Sequence, residues 1–207
     1  MDVSAYTRRL VWLGLVWLVG LGVSFAIAAD RATWALEVMP APIVFAALVA
    51  MRHRWQASDL ALALICVHGL VLMTGGAYTY AKVPIGFVLR DWLHLARNPF
   101  DRIGHFCQGF VPAIVLRELV IGLGLIRRGT FLALAVLAFC LAISAAYELI
   151  EFAAAQALGQ GADAFLGTQG DPWDTQWDML TCLVGAAIAL ATLSRIDDRL
   201  IAPARDG

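Results

Sequence analysis

The stretch D-R-I-G-H-F-C-Q, from Asp101 to Gln108, opens an apolar segment that is long enough to cross a bilayer. On a helix, Asp101 and His105 lie one turn apart, and Gln108 follows one turn later on the same face. Acids and imidazoles within a membrane span are costly and usually have a function. Two later stretches, Tyr147–Glu151 and Asp171–Asp178, repeat this combination of ionisable and apolar residues. The function of the chain therefore depends on where the three stretches meet.

The composition is that of a polytopic membrane protein. Of its 207 residues, 61% are hydrophobic and 15% are charged, whereas a soluble domain has about 45–50% and about 25%. The net charge of -1 and the lack of a basic cluster argue against nucleic acid as a partner. The four cysteines are scattered singly in apolar segments, which indicates neither a disulfide framework nor a C-x-x-C metal site.

Six apolar runs approach or exceed the roughly 20 residues that a helix needs to cross the hydrocarbon. Irregular backbone cannot lie in lipid, so each run is predicted to be helical. The first run is longer than a signal h-region, and we interpret it as a retained helix. Pro40 and Pro42 predict a kink in the second. The predicted spans are Leu10–Ala29, Trp34–Met51, Leu60–Tyr80, Phe100–Leu125, Phe131–Ala154 and Thr175–Ser194.

Alternate connections between these spans differ in positive charge. Arg8 precedes the first span and Arg127 lies between the fourth and fifth, whereas the connection before the sixth holds only acids. This distribution predicts that both termini are cytoplasmic. We therefore predict an all-α polytopic membrane protein with a single domain over residues 1–207. It would comprise a cytoplasmic N-terminus (1–9), a six-helix bundle (10–194) and a cytoplasmic tail (195–207).

Three pairs of ionisable residues are predicted to meet at the outer face, one pair on each of the last three spans. The members of each pair are three or four residues apart, so they share a helix face. Carboxylates at close range cannot all ionise unless a cation neutralises them. Oxygen ligands with one histidine suit Mg²⁺, Mn²⁺, Fe²⁺ or Zn²⁺. The sequence therefore predicts a divalent-metal site drawn from Asp101, His105, Glu148, Glu151, Asp174 and Asp178.

Other residues near the spans carry structural expectations. Asp171 is predicted to be the N-cap of the sixth span, with Pro172 in its first turn. Gly185 lies on the face of Asp178 and would let a neighbouring helix come close. We interpret Arg117 and Glu118 as an interfacial pair that snorkels at the cytoplasmic end.

Two further ionisable residues leave alternatives open. Glu37, near the outer end of the second span, either joins the acidic cluster or is a solvated acid at the membrane rim. His68, near the middle of the third span, is more typical of a packed histidine bonded to a neighbouring helix than of a metal ligand.

Four blocks of sequence carry a family resemblance. They resemble the bacterial YjdF-like inner-membrane family, which implies a small multi-pass protein of the inner membrane, surrounded by membrane lipids. The blocks are Gly75–Pro84, Arg97–Ala113, Tyr147–Glu151 and Gly159–Met179.

A looser similarity links the chain to VanZ-like membrane proteins, whose pattern is D-[KR]-x-x-H-F, a Glu on a later helix, and Asp and Gly on the last. This similarity implies an association with the cell envelope. The matching residues are Asp101, Arg102, His105, Glu148 or Glu151, Asp178 and Gly185.

Three functions fit these residues. The first is an enzyme at the outer face that acts on a lipid-linked or envelope substrate, in which a metal activates the substrate or water and Arg102 holds an anionic headgroup. The second is a transporter or proton-coupled carrier. The third is a non-catalytic envelope or partner-binding protein, and a homo-oligomer is compatible with all three. The candidate catalytic residues are Asp101, Arg102, His105, Glu148, Glu151 and Asp178.

Overall fold

The computed structural model describes residues 3–158 and 168–201, and the regular structure within these ranges is helical. Six stretches of helix are long and apolar enough to cross a membrane, with α2 and α3 together forming the second. The predicted all-α fold of six spans is therefore confirmed. The helices are α1 (Val3–Ala26), α2 (Arg31–Val38), α3 (Pro40–Met51), α4 (Asp59–Ala77), α5 (Pro84–Trp92), α6 (Phe100–Gly122), α7 (Thr130–Leu158) and α8 (Asp174–Leu200).

The second span is broken at Met39, as its prolines predict. Pro40 occupies the first turn of α3, where its missing N–H group is tolerated, and it cannot continue the hydrogen bonds of α2. At the other end of α2, the Asp30 side chain accepts a hydrogen bond of 2.7 Å from the Thr33 amide. This bond lowers the pKa of Asp30. The short helix α2, which contains Glu37, therefore has its own N-cap and is separate from α3.

The sixth span begins differently from the prediction. The N-cap of α8 is Trp173, so Pro172 precedes the helix and the prediction that Asp171 caps it is wrong. Gln169 and Gly170 have positive φ angles of 48° and 85°, and this turn carries Asp171 towards α6. There one Asp171 oxygen accepts from the Trp173 amide and the other pairs with Arg102.

Helices α6 and α8 pack against each other at two glycines. A Cβ atom on Gly109 would collide with the Cys182 carbonyl, and one on Gly185 would collide with the Phe106 carbonyl. The prediction that Gly185 allows a close helix approach is therefore confirmed, and Gly109 supplies the matching position on the facing helix. This contact fixes the spacing of the ionisable groups on the two helices.

The end of the bundle remote from the cluster holds a second set of charges. Arg117 is 5% exposed and Glu118 is 1% exposed, so the prediction of a snorkelling pair is wrong. Arg117 pairs with Asp197 and Asp198 because α8 continues past its predicted end at Ser194. The backbone amide and hydroxyl of Ser58 both donate to Glu118. Arg117 and Glu118 can be buried because α8 and Ser58 supply their ion-pair and hydrogen-bond partners.

Candidate functional site

One end of the bundle collects the ends of all six spans. The Ala29 amide donates to the carbonyl of Ala77 at the end of α4, with a distance of 3.0 Å. Gln169 forms two hydrogen bonds of 3.0 Å with the backbone of Asn98, which directly precedes α6. The Asn98 side chain in turn donates to the Val83 carbonyl. These bonds connect both long connections to the start of α6, where the D-R-I-G-H-F-C-Q stretch lies.

Two arginines hold the aspartates of this end together. Arg102 contacts Asp178 at 2.7 Å, Asp174 at 2.8 Å and Asp171 at 3.2 Å. Arg97 contacts Asp174, and also Asp101 at 3.3 Å. These pairs cross from α6 to α8 and to the turn before it. The two guanidinium groups therefore neutralise part of a cluster that contains four aspartates.

His105 lies at the centre of the remaining carboxylates. Its Nε2 atom is 3.8 Å from an Asp101 oxygen, 3.8 Å from an Asp178 oxygen and 3.9 Å from Glu148 Oε1. All four side chains are at most 9% exposed. These separations exceed a hydrogen bond, so the imidazole nitrogen faces three carboxylates without bonding directly to any of them.

The other ring nitrogen of His105 is engaged. Nδ1 lies 3.0 Å from the Gln108 side-chain oxygen, which accepts a hydrogen bond when the proton is on Nδ1. With the proton on Nδ1, the Nε2 lone pair points at the carboxylates, as it does in histidines that bind metals. Glu148 Oε1 is buried and has no hydrogen-bond partner among the described residues. A cation near Nε2 would accept its lone pair and would offset the charge of Glu148.

The dimensions of the cluster fit a small divalent cation. One ligand atom each from Asp101, His105 and Asp178 lies within 4.8 Å of the others. Ligands about 2.0–2.2 Å from a shared Zn²⁺ ion are at most about 4.4 Å apart, which accommodates the gaps of 3.8–3.9 Å around Nε2. When all are ionised, the four aspartates and Glu148 carry five negative charges against two from the arginines. A divalent cation would offset most of the difference.

A cavity of about 270 Å³ adjoins the cluster. Asp101, His105 and Gln108 line one end of it, and Trp17 and Leu116 lie further along. At about 1.5 Å per residue, the distance from His105 to Leu116 along α6 is about 16 Å. Most of the lining side chains in this direction are apolar. The cluster therefore opens on an apolar space within the bundle.

Tyr80 is fixed in the cavity wall by the turn that follows α4. Thr79 and Tyr80 have φ angles of 51° and 47°, a left-handed conformation that is uncommon for such residues. The Tyr80 ring lies where a Cβ atom on Gly75 or Gly104 would be. Burial raises the pKa of Tyr80 well above its usual value, so its hydroxyl stays neutral.

A hydrogen bond between α2 and α7 joins two residues that line the cavity. The Tyr147 hydroxyl donates to Glu37 Oε2 at 2.6 Å. Glu37 is 4% exposed, so of its two alternatives the structure favours membership of the cluster over a solvated rim acid. His68 also lines the cavity. Its Nε2 atom has no hydrogen-bond partner in the described part of the chain, so the expected bond to a neighbouring helix is not found there.

The structure divides the predicted site residues into three groups. Asp101, His105 and Asp178 place one ligand atom each within 4.8 Å of the others, and Glu148 lies 3.9 Å from His105 Nε2. Asp174 forms ion pairs with Arg97 and Arg102. Glu151 lines the cavity. The sequence interpretation overlooked Arg97, Tyr80 and Tyr147. For Arg97 a signal was present, since it precedes Asp101 by four residues.

Comparison with known proteins places the chain in a family. The family model described as "Predicted membrane protein (DUF2238)" matches residues 9–199. Inner membrane protein YjdF of Escherichia coli (strain K12) is 47% identical over 199 residues, which cover 96% of this chain and 91% of the relative. No solved structure matches the chain. The chain belongs to the DUF2238 family and is a multi-pass protein of the inner membrane, as the resemblance implied.

Proposed function

We propose that this DUF2238 protein is a metal-dependent enzyme that acts on a membrane-dissolved, lipid-linked substrate. The observation that carries the proposal is the position of His105 Nε2, which faces three carboxylates at 3.8–3.9 Å beside an apolar cavity. A divalent cation bound there would polarise a phosphoryl or acyl group, or activate water. The charge distribution of the connections predicts that this end of the bundle faces the periplasm.

The residues of the cluster take different parts in this proposal. Asp101, His105 and Asp178 would hold the cation, and Glu148 would either join them or accept a proton from the attacking group. Arg102 is a positioning residue, because its guanidinium is already occupied by three aspartates. It would therefore orient Asp178 rather than bind an anionic headgroup.

The cavity beside the cluster favours an enzyme over a structural ion network. The network at the opposite end, in which Arg117 pairs with Asp197 and Asp198, leaves Asp197 Oδ1 without a hydrogen-bond partner among the described residues, and none of these three residues lines the cavity. The cluster around His105 likewise leaves Glu148 Oε1 without a partner among the described residues, but Asp101 and His105 line the cavity, where a ligand can reach them. Buried polar atoms of this kind are costly, and they are expected where a ligand completes the site.

The test is elemental analysis of the protein purified in detergent, after incubation with Zn²⁺, Mn²⁺ or Mg²⁺ and removal of the excess. We expect one equivalent of metal in the wild type and little in His105→Ala or Glu148→Gln. His53→Ala and Asp91→Asn are matched controls, since both residues are exposed and lie outside the cluster. They should retain the metal of the wild type.

Gln108→Ala makes the test more specific. Loss of a group that orients a metal-binding histidine lowers metal affinity about 10–100-fold, so this variant should bind the same amount of metal more weakly. An absence of metal from folded wild-type protein under all three conditions would refute the metal-dependent mechanism. Equal metal contents in the wild type and His105→Ala would refute the assignment to this cluster.

A further inference from the structure

The cavity beside the cluster combines acidic groups with apolar walls. Glu37, Asp101 and Glu151 line it, and these carboxyl groups are close enough to interact electrostatically. Within the described residues, no lysine or arginine lines the cavity. Arg97 and Arg102 lie outside it and are engaged by the aspartates. The cavity therefore contains three carboxyl groups, of which only Asp101 contacts an arginine among the described residues.

The apolar part of the cavity is suited to a hydrocarbon chain. It runs about 16 Å along α6 from His105 to Leu116, and its walls include Trp17, Ile65 and Val111. Its length lies along a membrane-crossing helix. A ligand that fills it would place an apolar chain towards the bilayer centre and its polar group at the acidic end.

The acidic end offers more hydrogen-bond acceptors than donors. The Tyr147 hydroxyl already donates a hydrogen bond to Glu37. Pro112 lies within α6 and has no N–H group to donate to the carbonyl of Gln108, four residues earlier. Both Gln108 and Pro112 line the cavity. A ligand that supplies several N–H donors and a positive charge would match this end.

We infer that the cavity binds an amphiphile whose polar group is a protonated amine. Glu37 and Glu151 pair with the ammonium group, and the rings of Tyr80 and Tyr147 in the same wall suit a cation. The attraction between an ammonium group and a carboxylate is stronger in an apolar environment than in water. The inference rests on the proposed function in taking this cavity as the substrate site, and it names the class of substrate.

The experiment compares an alkyl amine with the alcohol of the same chain length, each carrying a bromine at the far end of the chain. Bromine quenches tryptophan fluorescence on contact, and Trp17 lies in the apolar wall. Each probe is titrated at neutral pH into protein in uncharged maltoside micelles. The difference between wild type and Trp17→Phe gives the quenching that belongs to the cavity.

We expect half-quenching of Trp17 at about tenfold lower amine than alcohol concentration, as one favourable ion pair of about 1.4 kcal/mol provides. The double variant Glu37→Gln/Glu151→Gln should lose this preference. Asp91→Asn, an exposed acid outside the cavity, should keep it. Equal half-quenching by both probes in the wild type would overturn the inference, and so would an undiminished preference in the double variant.

Two additions keep the outcome clear. Should the double variant fail to fold, Glu151→Gln alone serves, because Glu151 is only partly buried. The titration is also repeated on His105→Ala protein. If the His105→Ala variant keeps the preference for the amine and the wild type binds no metal, only the metal proposal is refuted. Stoichiometric metal without an amine preference would refute only the assignment of the ligand.

Discussion

Arg102 is the residue on which the acidic end of the bundle most depends. It contacts three aspartate side chains within 3.2 Å. Its Nη1 atom also donates a hydrogen bond of 3.1 Å to the backbone carbonyl of Asp174. Arg102→Ala would leave these carboxylates partly buried and without this partner, which costs about 3–5 kcal/mol. We expect a marked fall in the thermal unfolding temperature of the detergent-solubilised protein.

The matched control for this substitution is Arg90→Ala. Arg90 pairs with the exposed Asp91, and such surface pairs contribute about 0–1 kcal/mol. Arg102→Lys should fall between the two, because a lysine restores the charge but cannot reach several carboxylates with a planar fork. An unfolding temperature for Arg102→Ala equal to that of Arg90→Ala would contradict this account.

Thr79 is a residue whose native conformation carries a cost. Its φ angle is 51°, and its buried hydroxyl has no hydrogen-bond partner among the described residues. Thr79→Gly removes both the left-handed strain and the unpaired hydroxyl, so we expect a gain of about 1 kcal/mol in the free energy of unfolding. Thr79→Ala removes the hydroxyl and the buried methyl group but keeps the left-handed strain, so it should gain less. Thermal unfolding of the two variants would test this order of stability. A Thr79→Gly variant less stable than Thr79→Ala would contradict the prediction.

At the scale of elements, the α6–α8 contact is the feature that sets the geometry of the cluster. Gly109→Ala would place a methyl group against the backbone of Cys182, and relieving this overlap must separate the two helices. We expect a loss of about 1–3 kcal/mol in stability, the usual cost of overpacking, together with weaker metal binding. Gly22→Ala is the control, because the space around Gly22 is open and alanine favours a helix. Equal stability of the two variants would contradict the proposed role.

The elements were largely predictable because hydropathy determines them. A run of apolar residues specifies a span wherever it packs, and the spacing of Asp101 and His105 fixes their common face. The break at Met39 followed from Pro40. Helix α5 was not predicted, since a helix of nine residues leaves a weak signal in a polar connection. The burial of Arg117 could not be predicted because its partners are 80 and 81 residues away.

The same distinction applies to the candidate site. Glu148 and Asp178 could be brought near His105 by counting turns on alternating spans. The pairing of Arg97 with Asp101 follows from their spacing of four residues. Its contacts with Asp171 and Asp174 could not be predicted, because they depend on the turn at Gln169–Gly170. Periodicity gives the depth of a side chain in the membrane. Which partner it meets at that depth depends on irregular backbone.

At the scale of the whole molecule, the orientation in the membrane remains a prediction. The arginine-rich connections predict cytoplasmic termini and a periplasmic cluster. A green fluorescent protein fused after Gly207 should fluoresce, and alkaline phosphatase fused there should be inactive. Alkaline phosphatase inserted in the connection between α5 and α6 should be active. The reverse pattern would place the cluster on the cytoplasmic side.

The cavity is walled almost entirely by membrane-crossing helices, with Tyr80 as the exception. Under the proposed function, the substrate that occupies it is one already dissolved in the bilayer. The substrate concentration that the protein experiences is then a surface density. It is set by the mole fraction of substrate among the lipids and not by its concentration in the total volume of buffer. Diluting the vesicles would leave the rate per protein unchanged, whereas adding inert lipid to each vesicle would lower it.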